Sequence, residues 1–207
     1  MAAESKSQLG QDVWVYNTLG MKNNGFFVEL GAGYGIDLSN TYALEKHFGW
    51  NGICIEPSQQ YKSLCRNRRC ICDPSCVSDK DGDTVTFLQD QKYGEHNHFS
   101  GIKAHINCHE PEGVEYELQT KTLAMVLRHH GAPKVMDYLS LDTEGSEYPI
   151  LSVFPHHEYK FNCITVEHNF QEKPREQIRC LLESNGYRRV EQRQWDDFYV
   201  LSHVPSV

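Results

Sequence analysis

The sequence predicts an α/β fold in which a mostly parallel, Rossmann-like sheet is covered by helices. Two observations support this fold class. Short apolar runs alternate with amphipathic segments along the 207 residues, as expected when helices connect parallel strands. A glycine-rich turn at residues 31–35 also follows the first apolar run and precedes a helical pattern, which is typical of ligand-binding turns. The length, and the lack of any linker-like stretch, favour a single domain over residues 1–207.

The N-terminal part of the chain predicts a β-α-β unit. Residues 26–30 form an apolar strand that runs into the glycine-rich turn. Asp37 or Ser39 is placed to cap the helix that follows, and Gly49 is placed to end it. Residues 52–55 then predict a second strand, and a crossover of this kind makes it parallel to the first.

The middle of the chain predicts additional strands and a lid. We expect a third strand near residues 70–77 and a further one over 84–88, after a turn at residues 81–82. Residues 89–113 are polar and lack a sustained period, and irregular stretches of this length inside a domain commonly serve a function. We interpret this stretch as a lid. Another strand is predicted over residues 116–121, and a short helix follows it.

The C-terminal part predicts the remainder of the sheet. Residues 136–141 and 161–166 are apolar runs that predict two central strands. A helical pattern follows and ends at residues 185–186, where the pair Asn-Gly is a strong stop signal. Residues 187–191 and 198–201 then predict a closing antiparallel hairpin, so the last strand should run against the others.

The glycine-rich turn predicts the cofactor. Gly31, Gly33 and Gly35 let the backbone turn sharply and approach a ligand, but their spacing differs from the G-x-G-x-x-G of dinucleotide enzymes. Glu29, just before the turn, would repel a diphosphate. A carboxylate at this place can instead help to hold the positively charged amino end of S-adenosyl-L-methionine. The pattern therefore favours S-adenosyl-L-methionine over a dinucleotide.

Two more residues are predicted to bind this cofactor. Glu56 ends the second strand, where a carboxylate can accept both hydroxyl groups of a ribose. Ser78 follows the third strand and is expected near the adenine. The alternative interpretation is structural: the glycines would only form a tight turn, and Glu56 would only cap a helix. The combination of the turn, Glu29 and Glu56 favours the binding site.

Acidic residues at the ends of the two central strands predict the reaction centre. Asp142 and Glu144 follow one strand, and Glu167 and His168 follow the next, so their side chains should meet at one edge of the sheet. Methyl transfer to a hydroxyl group needs a general base or a metal that lowers the hydroxyl pKa. We favour His168 as the base. The alternative is Mg²⁺ or Mn²⁺ held by Asp142 and Glu167.

Composition limits the partners. The net charge of −8 argues against a nucleic-acid partner, because phosphate contacts require a basic surface. No run of about 20 apolar residues could span a membrane, which predicts a cytoplasmic protein unless an upstream anchor has been removed. Eight cysteines are present. Those between Cys65 and Cys76 are interpreted as free thiols, with a disulfide as the alternative and a zinc site disfavoured by their spacing.

The sequence resembles the FkbM-type methyltransferase family over nearly its whole length. The matching segments, in the order of the family, are residues 7–12, 27–32, 38–41, 50–57, 137–147 and 164–169. They include the runs Phe-Val-Glu-Leu-Gly-Ala, Gly-Ile-Cys-Ile-Glu-Pro and Leu-Asp-Thr-Glu-Gly-Ser-Glu. The histidine-rich lid and the cysteines depart from the family pattern and leave the acceptor open.

The resemblance implies a class I methyltransferase fold with sheet order 3-2-1-4-5-7-6, S-adenosyl-L-methionine as the donor, and O-methylation of sugars or natural-product hydroxyls. It also implies that Asn40 lies near the cofactor and that Gln8 or Gln11 lies near the mouth of the site. The expected function is O-methylation of a hydroxylated small molecule or a glycan. The alternatives are a methyltransferase for another small molecule or a protein side chain, and a catalytically silent interaction module.

Overall fold

The computed structural model describes residues 4–91, 99–106 and 112–204. The strands are β1 (Phe26–Leu30), β2 (Asn51–Ile55), β3 (Ile71–Asp73), β4 (Cys76–Val77), β5 (Thr84–Asp90), β6 (Gly101–Ile102), β7 (Gly113–Lys121), β8 (Val135–Leu141), β9 (Lys160–Glu167), β10 (Tyr187–Arg193) and β11 (Asp196–Leu201). The helices are α1 (Gln11–Thr18), α2 (Tyr42–Phe48), α3 (Tyr61–Asn67), α4 (Leu123–His129), α5 (Glu147–Ser152) and α6 (Glu172–Ser184).

The central sheet confirms the predicted fold class and strand order. It has seven strands in the order β3-β2-β1-β8-β9-β11-β10. Numbered along the chain within this sheet alone, that order is 3-2-1-4-5-7-6. Strands β1, β2, β3, β8 and β9 are parallel, whereas β11 runs antiparallel to both β9 and β10. The last strand therefore opposes its neighbours, as the class I methyltransferase fold requires.

A second sheet lies between β3 and β8 in the chain, with the order β4-β7-β5-β6. The single strand predicted near residues 70–77 is wrong, because that segment forms β3 in the first sheet and β4 in the second. Pro74 and Ser75 separate the two strands, and Asp73 Oδ1 accepts the N–H of Ser75 at 2.8 Å. Proline cannot donate to a ladder, so the chain changes sheets there.

The predicted lid contains more strand than its sequence indicates. β5 extends to Asp90, β7 begins at Gly113, and β6 pairs with β5 between them. Within that stretch, residues 92–98 and 107–111 lie outside the described residues. The predicted end of α2 is confirmed, since Gly49 is left-handed with φ 69°. The N-cap is Thr41 and not Asp37 or Ser39, although Ser39 Oγ accepts the N–H of Tyr42 at 3.1 Å.

The buried core aligns the strand ends that form the site. Phe27 and Val28 of β1 and Tyr138 and Leu139 of β8 are fully buried, and they pair in parallel register. Burial of such residues is the main force that holds the strands in place. Because the strands are parallel, their carboxyl ends open at the same edge. In the described part of the chain, no helix is long and apolar enough to cross a bilayer.

Candidate functional site

A cavity of about 450 Å³ opens at the carboxyl edge of the central sheet. The strand ends of β1, β2, β8 and β9 meet there, as expected for an open parallel sheet. Its described lining consists of Gln8, Gly31, Ala32, Gly33, Asp37, Leu38, Ser39, Glu56, Gln60, Phe99, Ser100, Asp142, Glu144, Glu167, Asn169, Phe170 and Trp195. Five of these residues are acidic, and none is lysine, arginine or histidine. Such a cavity favours a cationic or neutral ligand and repels a phosphate.

The glycine-rich turn closes one side of the cavity. Gly31 is left-handed with φ 76°, and a Cβ atom at this residue would lie 1.8 Å from the backbone oxygen of Asp142. Only glycine permits this approach of two strand ends. The N–H of Gly33 donates to Glu56 Oε2 at 2.7 Å. Gly35 does not line the cavity, because its α-carbon faces Leu64.

Glu56 lies on the cavity wall beside the turn. The residue is 5% exposed, and its second carboxylate oxygen accepts the N–H of Ser58 at 2.8 Å. Burial raises the pKa of this carboxyl, while the hydrogen bonds from Ser58 and Gly33 oppose the rise. A carboxylate has about four acceptor positions. Glu56 therefore keeps capacity to accept hydroxyl groups from a ligand in the cavity.

Glu29 does not reach the cavity, in contrast to its predicted contact with the cofactor. Its carboxylate accepts hydrogen bonds from Ser39 Oγ, the N–H of Asn40 and Thr41 Oγ1, and pairs with Arg68 at 3.3 Å. These donors occupy its oxygens. Glu29 thus holds the segment between the glycine-rich turn and α2 in place, which makes it a supporting residue.

Asn40 and Ser78 are also placed outside the lining. Asn40 donates through Nδ2 to Ser140 Oγ at 2.9 Å, so it ties the start of α2 to β8. Ser78 donates to Asp79 at 3.2 Å. Val77, the residue before Ser78, lines a small crevice of about 40 Å³. That crevice shares Gly31, Glu56 and Ser100 with the main cavity.

Three of the four predicted reaction-centre residues meet in the cavity, just beyond the ends of β8 and β9. Asp142, Glu144 and Glu167 each offer an oxygen, and these oxygens lie within 4.8 Å of one another. Asn169 Nδ2 donates to Glu167 Oε2 at 2.7 Å and to Glu144 Oε2 at 3.5 Å. The amide therefore bridges two of the acids.

Burial and neighbouring charges raise the pKa of two of these acids, Asp142 and Glu167. Burial, together with the charges of Asp196 and Glu147, raises the pKa of Asp142 to about 8. Burial and the neighbouring charges of Asp142 and Glu144 also hold the pKa of Glu167 well above its usual range. Like charges in a poorly solvated site cannot all ionise. A proton or a ligand cation is needed to compensate them.

His168, the fourth predicted residue, does not face the cavity. It is 5% exposed, its Nδ1 accepts the N–H of Phe170 at 3.1 Å, and its Nε2 lies 3.9 Å from Asp197 Oδ1. Burial lowers its pKa, and the charge of Arg175 lowers it further. The nitrogen that would take a substrate proton is therefore occupied or turned away. The strand ends at Glu167, and the next side chain points to the other face.

Several lining residues were not singled out from the sequence. Gln60 follows the second strand, and Phe99, Phe170 and Trp195 bring aromatic rings to the cavity. Only long-range packing reveals them, because they lie in loops without a motif. The resemblance left Gln8 and Gln11 open, and the structure distinguishes them. Gln8 lines the cavity, whereas Gln11 is buried and donates to Asp196 Oδ2 at 2.8 Å.

None of the cysteines that the structure describes lines the main cavity, although Cys76 lines the small crevice beside it. All seven that the structure describes are free thiols, and Cys108 lies outside the described residues. The Sγ atoms of Cys54 and Cys70 are 3.6 Å apart. Within the described ranges, the one group of acids, cysteines and histidines close enough to share a metal ion is the acidic cluster of Asp142, Glu144 and Glu167.

The fold and cavity, together with comparisons with known proteins, define an S-adenosylmethionine-dependent methyltransferase. The model of the methyltransferase FkbM domain matches residues 29–189. The chain therefore belongs to the FkbM methyltransferase family. This finding confirms the family predicted from the sequence. No curated protein sequence matches the chain.

Solved structures of several methyltransferases are similar in fold. Precorrin-6y C5,15-methyltransferase from Geobacter metallireducens is 11% identical, with 91% of this chain and 86% of that chain covered and a TM-score of 0.45. M. jannaschii TYW2 in complex with AdoMet is 14% identical, with 96% and 76% covered and a TM-score of 0.39. A methyltransferase from Pyrococcus furiosus is 12% identical, with 91% and 81% covered and a TM-score of 0.41.

Proposed function

We propose that the protein transfers a methyl group from S-adenosyl-L-methionine to a hydroxyl group of a sugar, a glycan or a related hydroxylated metabolite. The observation that carries this proposal is the charge of the cavity, whose described lining has five acids and no basic side chain. The sulfonium and ammonium groups of the donor are cations. A hydroxylated acceptor is neutral, so neither ligand is repelled.

The two sides of the cavity suit the two ligands. Glu56 and the N–H groups around Gly31 and Gly33 would hold the ribose and the methionine part of the donor. The crevice beside Val77, with its apolar walls, would hold one edge of the adenine. With the donor bound in this way, its sulfonium would face Asp142, and the space near Glu167 and Asn169 would remain for the acceptor.

In the proposed reaction, the acceptor oxygen attacks the methyl carbon and forms the new C–O bond. The C–S bond of the sulfonium breaks, its electron pair stays on sulfur, and S-adenosylhomocysteine leaves. The hydroxyl proton passes to a carboxylate. We assign this role to Asp142 in place of His168, since Asp142 lines the cavity and burial raises its pKa to about 8. A base is most effective when its pKa is near the working pH.

A divalent cation is the alternative way to compensate the acids. Asp142, Glu144 and Glu167 would hold Mg²⁺ or Mn²⁺ through oxygen atoms, which these ions prefer. When bound there, the ion would lower the pKa of an acceptor hydroxyl. Treatment with a chelator separates the two forms of the proposal. Activity that survives chelation supports the carboxylate base, and activity that is lost and restored by Mg²⁺ or Mn²⁺ supports the metal.

Calorimetric titration with S-adenosylmethionine tests the part of the proposal that concerns donor binding. Glu56→Ala should weaken binding by about 10-fold to 150-fold, the worth of hydrogen bonds to a charged group. Glu117→Ala, which removes an exposed acid of β7, should leave the affinity unchanged. A wild-type protein that does not bind the donor would support the silent interaction module instead.

Transfer of a labelled methyl group tests the part of the proposal that concerns the acceptor. Glycosides, phenols, amines and peptides should be offered in parallel, and the proposal expects label on an oxygen of a glycoside. Asp142→Asn should reduce turnover by about 10²-fold to 10⁴-fold while the donor still binds. Label on nitrogen, or on a peptide side chain, would refute O-methylation and leave the methyltransferase assignment intact.

A further inference from the structure

An exposed aromatic ring lies at the mouth of the cavity, in the segment that follows β9. The Phe170 residue is 63% exposed, and it is the single aromatic among the strongly exposed large hydrophobics of the described residues. It lines the cavity together with Asn169 and Trp195. An apolar ring left in water beside a cavity is the kind of surface that a bound ligand covers.

The backbone that presents this ring is strained. Asn169 has φ 44° and Phe170 has φ 57°, so two consecutive residues other than glycine are left-handed. Bulky side chains rarely adopt this conformation. Such strain persists only where the surrounding structure fixes it, and it concentrates at functional sites. The position of Phe170 is therefore set before any ligand binds.

His168 is the residue that fixes the turn. Its Nδ1 accepts the N–H of Phe170 at 3.1 Å, and its backbone N–H donates to the Trp195 carbonyl at 2.7 Å. Its ring also packs edge-on against the Phe170 ring, with 5.8 Å between centroids. Since Nδ1 accepts an N–H, it carries no proton. His168 therefore acts here as a neutral acceptor that links two loops at the cavity rim.

The Phe170 ring and the acids Asp142, Glu144 and Glu167 together favour some acceptors over others. A pyranose has a face of C–H groups that can lie on an aromatic ring and an edge of hydroxyls that can donate to carboxylates. A phenol also has a flat face but only one or two hydroxyls, so it would donate fewer hydrogen bonds to these carboxylates than a pyranose would. A sugar phosphate or nucleotide sugar would bring negative charge among five acids.

We propose that Phe170 is a specificity-determining residue that stacks on the C–H face of an uncharged pyranose acceptor, and that His168 is its positioning residue. This inference rests on the proposed function, because it assigns residues to the acceptor side of that site. It gives His168 a role that is different from proton transfer. It also separates the acceptor from phosphorylated sugars.

Saturation-transfer NMR on the full chain with S-adenosylhomocysteine bound tests the proposal. The probes are methyl glucopyranoside, methyl galactopyranoside and methyl mannopyranoside, with catechol and glucose 6-phosphate as comparators. We expect saturation of the ring C–H protons of at least one glycoside. Phe170→Ala should reduce that signal at least about fivefold, and Phe170→Tyr should retain it, because stacking depends on the aromatic ring. Val153→Ala, an exposed site outside the cavity lining, is the matched control.

Two variants of His168 test the positioning role. An asparagine side chain offers an acceptor oxygen near the position of Nδ1, so His168→Asn should keep glycoside binding within about threefold of wild type. His168→Leu removes the acceptor and should lower binding as Phe170→Ala does. Saturation-transfer signals report the glycoside, so they do not depend on turnover.

Each result decides the question. If the cofactor product binds but no glycoside shows saturation, or if catechol or glucose 6-phosphate binds better, the acceptor inference is wrong and the methyltransferase remains. If glycosides bind equally to Phe170→Ala, the role of Phe170 is wrong. If His168→Asn loses binding while folding normally, positioning through Nδ1 is wrong. If the cofactor product itself does not bind to wild type, the proposed function fails.

Discussion

The acids on the two walls of the cavity differ in the hydrogen bonds and charges that surround them. The wall that we assign to the cofactor, called the cofactor wall, consists of Gly31, Gly33 and Glu56, with Glu29 behind them. Glu29 accepts three hydrogen bonds and pairs with Arg68, and Glu56 accepts two backbone N–H groups. The acids of this wall are therefore hydrogen-bonded within the fold, although burial still raises the pKa of Glu56.

The wall that we assign to the acceptor, called the acceptor wall, consists of Asp142, Glu144, Glu167, Asn169 and Phe170. Its acids face one another, and burial raises the pKa of Asp142 to about 8. Glu144, Asn169 and Phe170 are all left-handed, with φ 58°, 44° and 57°. This difference indicates that the contacts of the cofactor wall stabilise the fold. The other wall stores unfavourable charge and backbone strain that a ligand would relieve.

The largest expected effect comes from removing the compensated acid of the cofactor wall. Glu29→Ala leaves Arg68 buried with one partner fewer, and breaking a buried ion pair costs about 3–5 kcal/mol in the free energy of unfolding. Urea denaturation measures this loss. Glu117→Ala, at an exposed acid, should change it by less than about 0.5 kcal/mol. A Glu29 variant as stable as wild type would show that the hydrogen-bond network is not what supports this wall.

A second effect depends on the contact between the walls. Gly31→Ala would place a Cβ atom 1.8 Å from the Asp142 carbonyl, so the ends of β1 and β8 must separate. Overpacking of this kind costs about 1–3 kcal/mol. Gly82→Ala is the matched control, since Gly82 is also left-handed but has nothing within 4 Å of the added atom. Thermal or urea unfolding should show the larger loss for Gly31→Ala, and equal losses would contradict the close approach.

The cofactor wall could be predicted from the sequence because its signals are local. The glycine spacing, the strand before it and the acid at the next strand end all lie within one β-α-β unit. The same pattern assigned Glu29 to the cofactor, and the structure shows it behind the wall. A sequence pattern can predict where a strand ends. It does not predict which way a side chain such as Glu29 points when several hydrogen-bond donors surround it.

The acceptor wall could be predicted only in part. The acids at the ends of β8 and β9 were found because parallel strands bring their ends together. His168 was placed on the wrong face, since the side chain after Glu167 points away from the cavity. Phe170 and Trp195 have no motif, and their approach depends on two turns that are distant in the chain. Long-range packing of this kind is not encoded in local periodicity.

A third effect has the opposite sign: it raises the free energy of unfolding, whereas Glu29→Ala lowers it. Asp142→Asn removes a carboxyl whose ionisation burial opposes, so the variant should be more stable than wild type near pH 8. The free energy of unfolding should also depend on pH, because Asp142 ionises at a different pH in the folded and unfolded protein. Folded Asp142 keeps its proton up to about pH 8, whereas an unfolded aspartate loses it near pH 4.

Between these pH values, unfolding releases a proton, so the stability contributed by this group is complete at low pH and declines as the pH rises from about 4 to about 8. Unfolding in urea across this range should show a shallower decline for Asp142→Asn than for wild type. Identical slopes would mean that Asp142 ionises normally and that the acceptor wall is compensated like the cofactor wall.

The smallest effect concerns the strained backbone of the acceptor wall. At φ 57°, glycine is unstrained and alanine is not, so Phe170→Gly should be more stable than Phe170→Ala by about 0.5–1 kcal/mol. At Val153, where φ is −106°, the order should reverse, because glycine there only adds entropy to the unfolded chain. Paired urea titrations of the four variants measure both differences. A Phe170→Gly protein no more stable than Phe170→Ala would mean that this turn relaxes freely. In that case the Phe170 ring would not be fixed in position before a ligand binds. The two walls would then differ only in the charges of their acids.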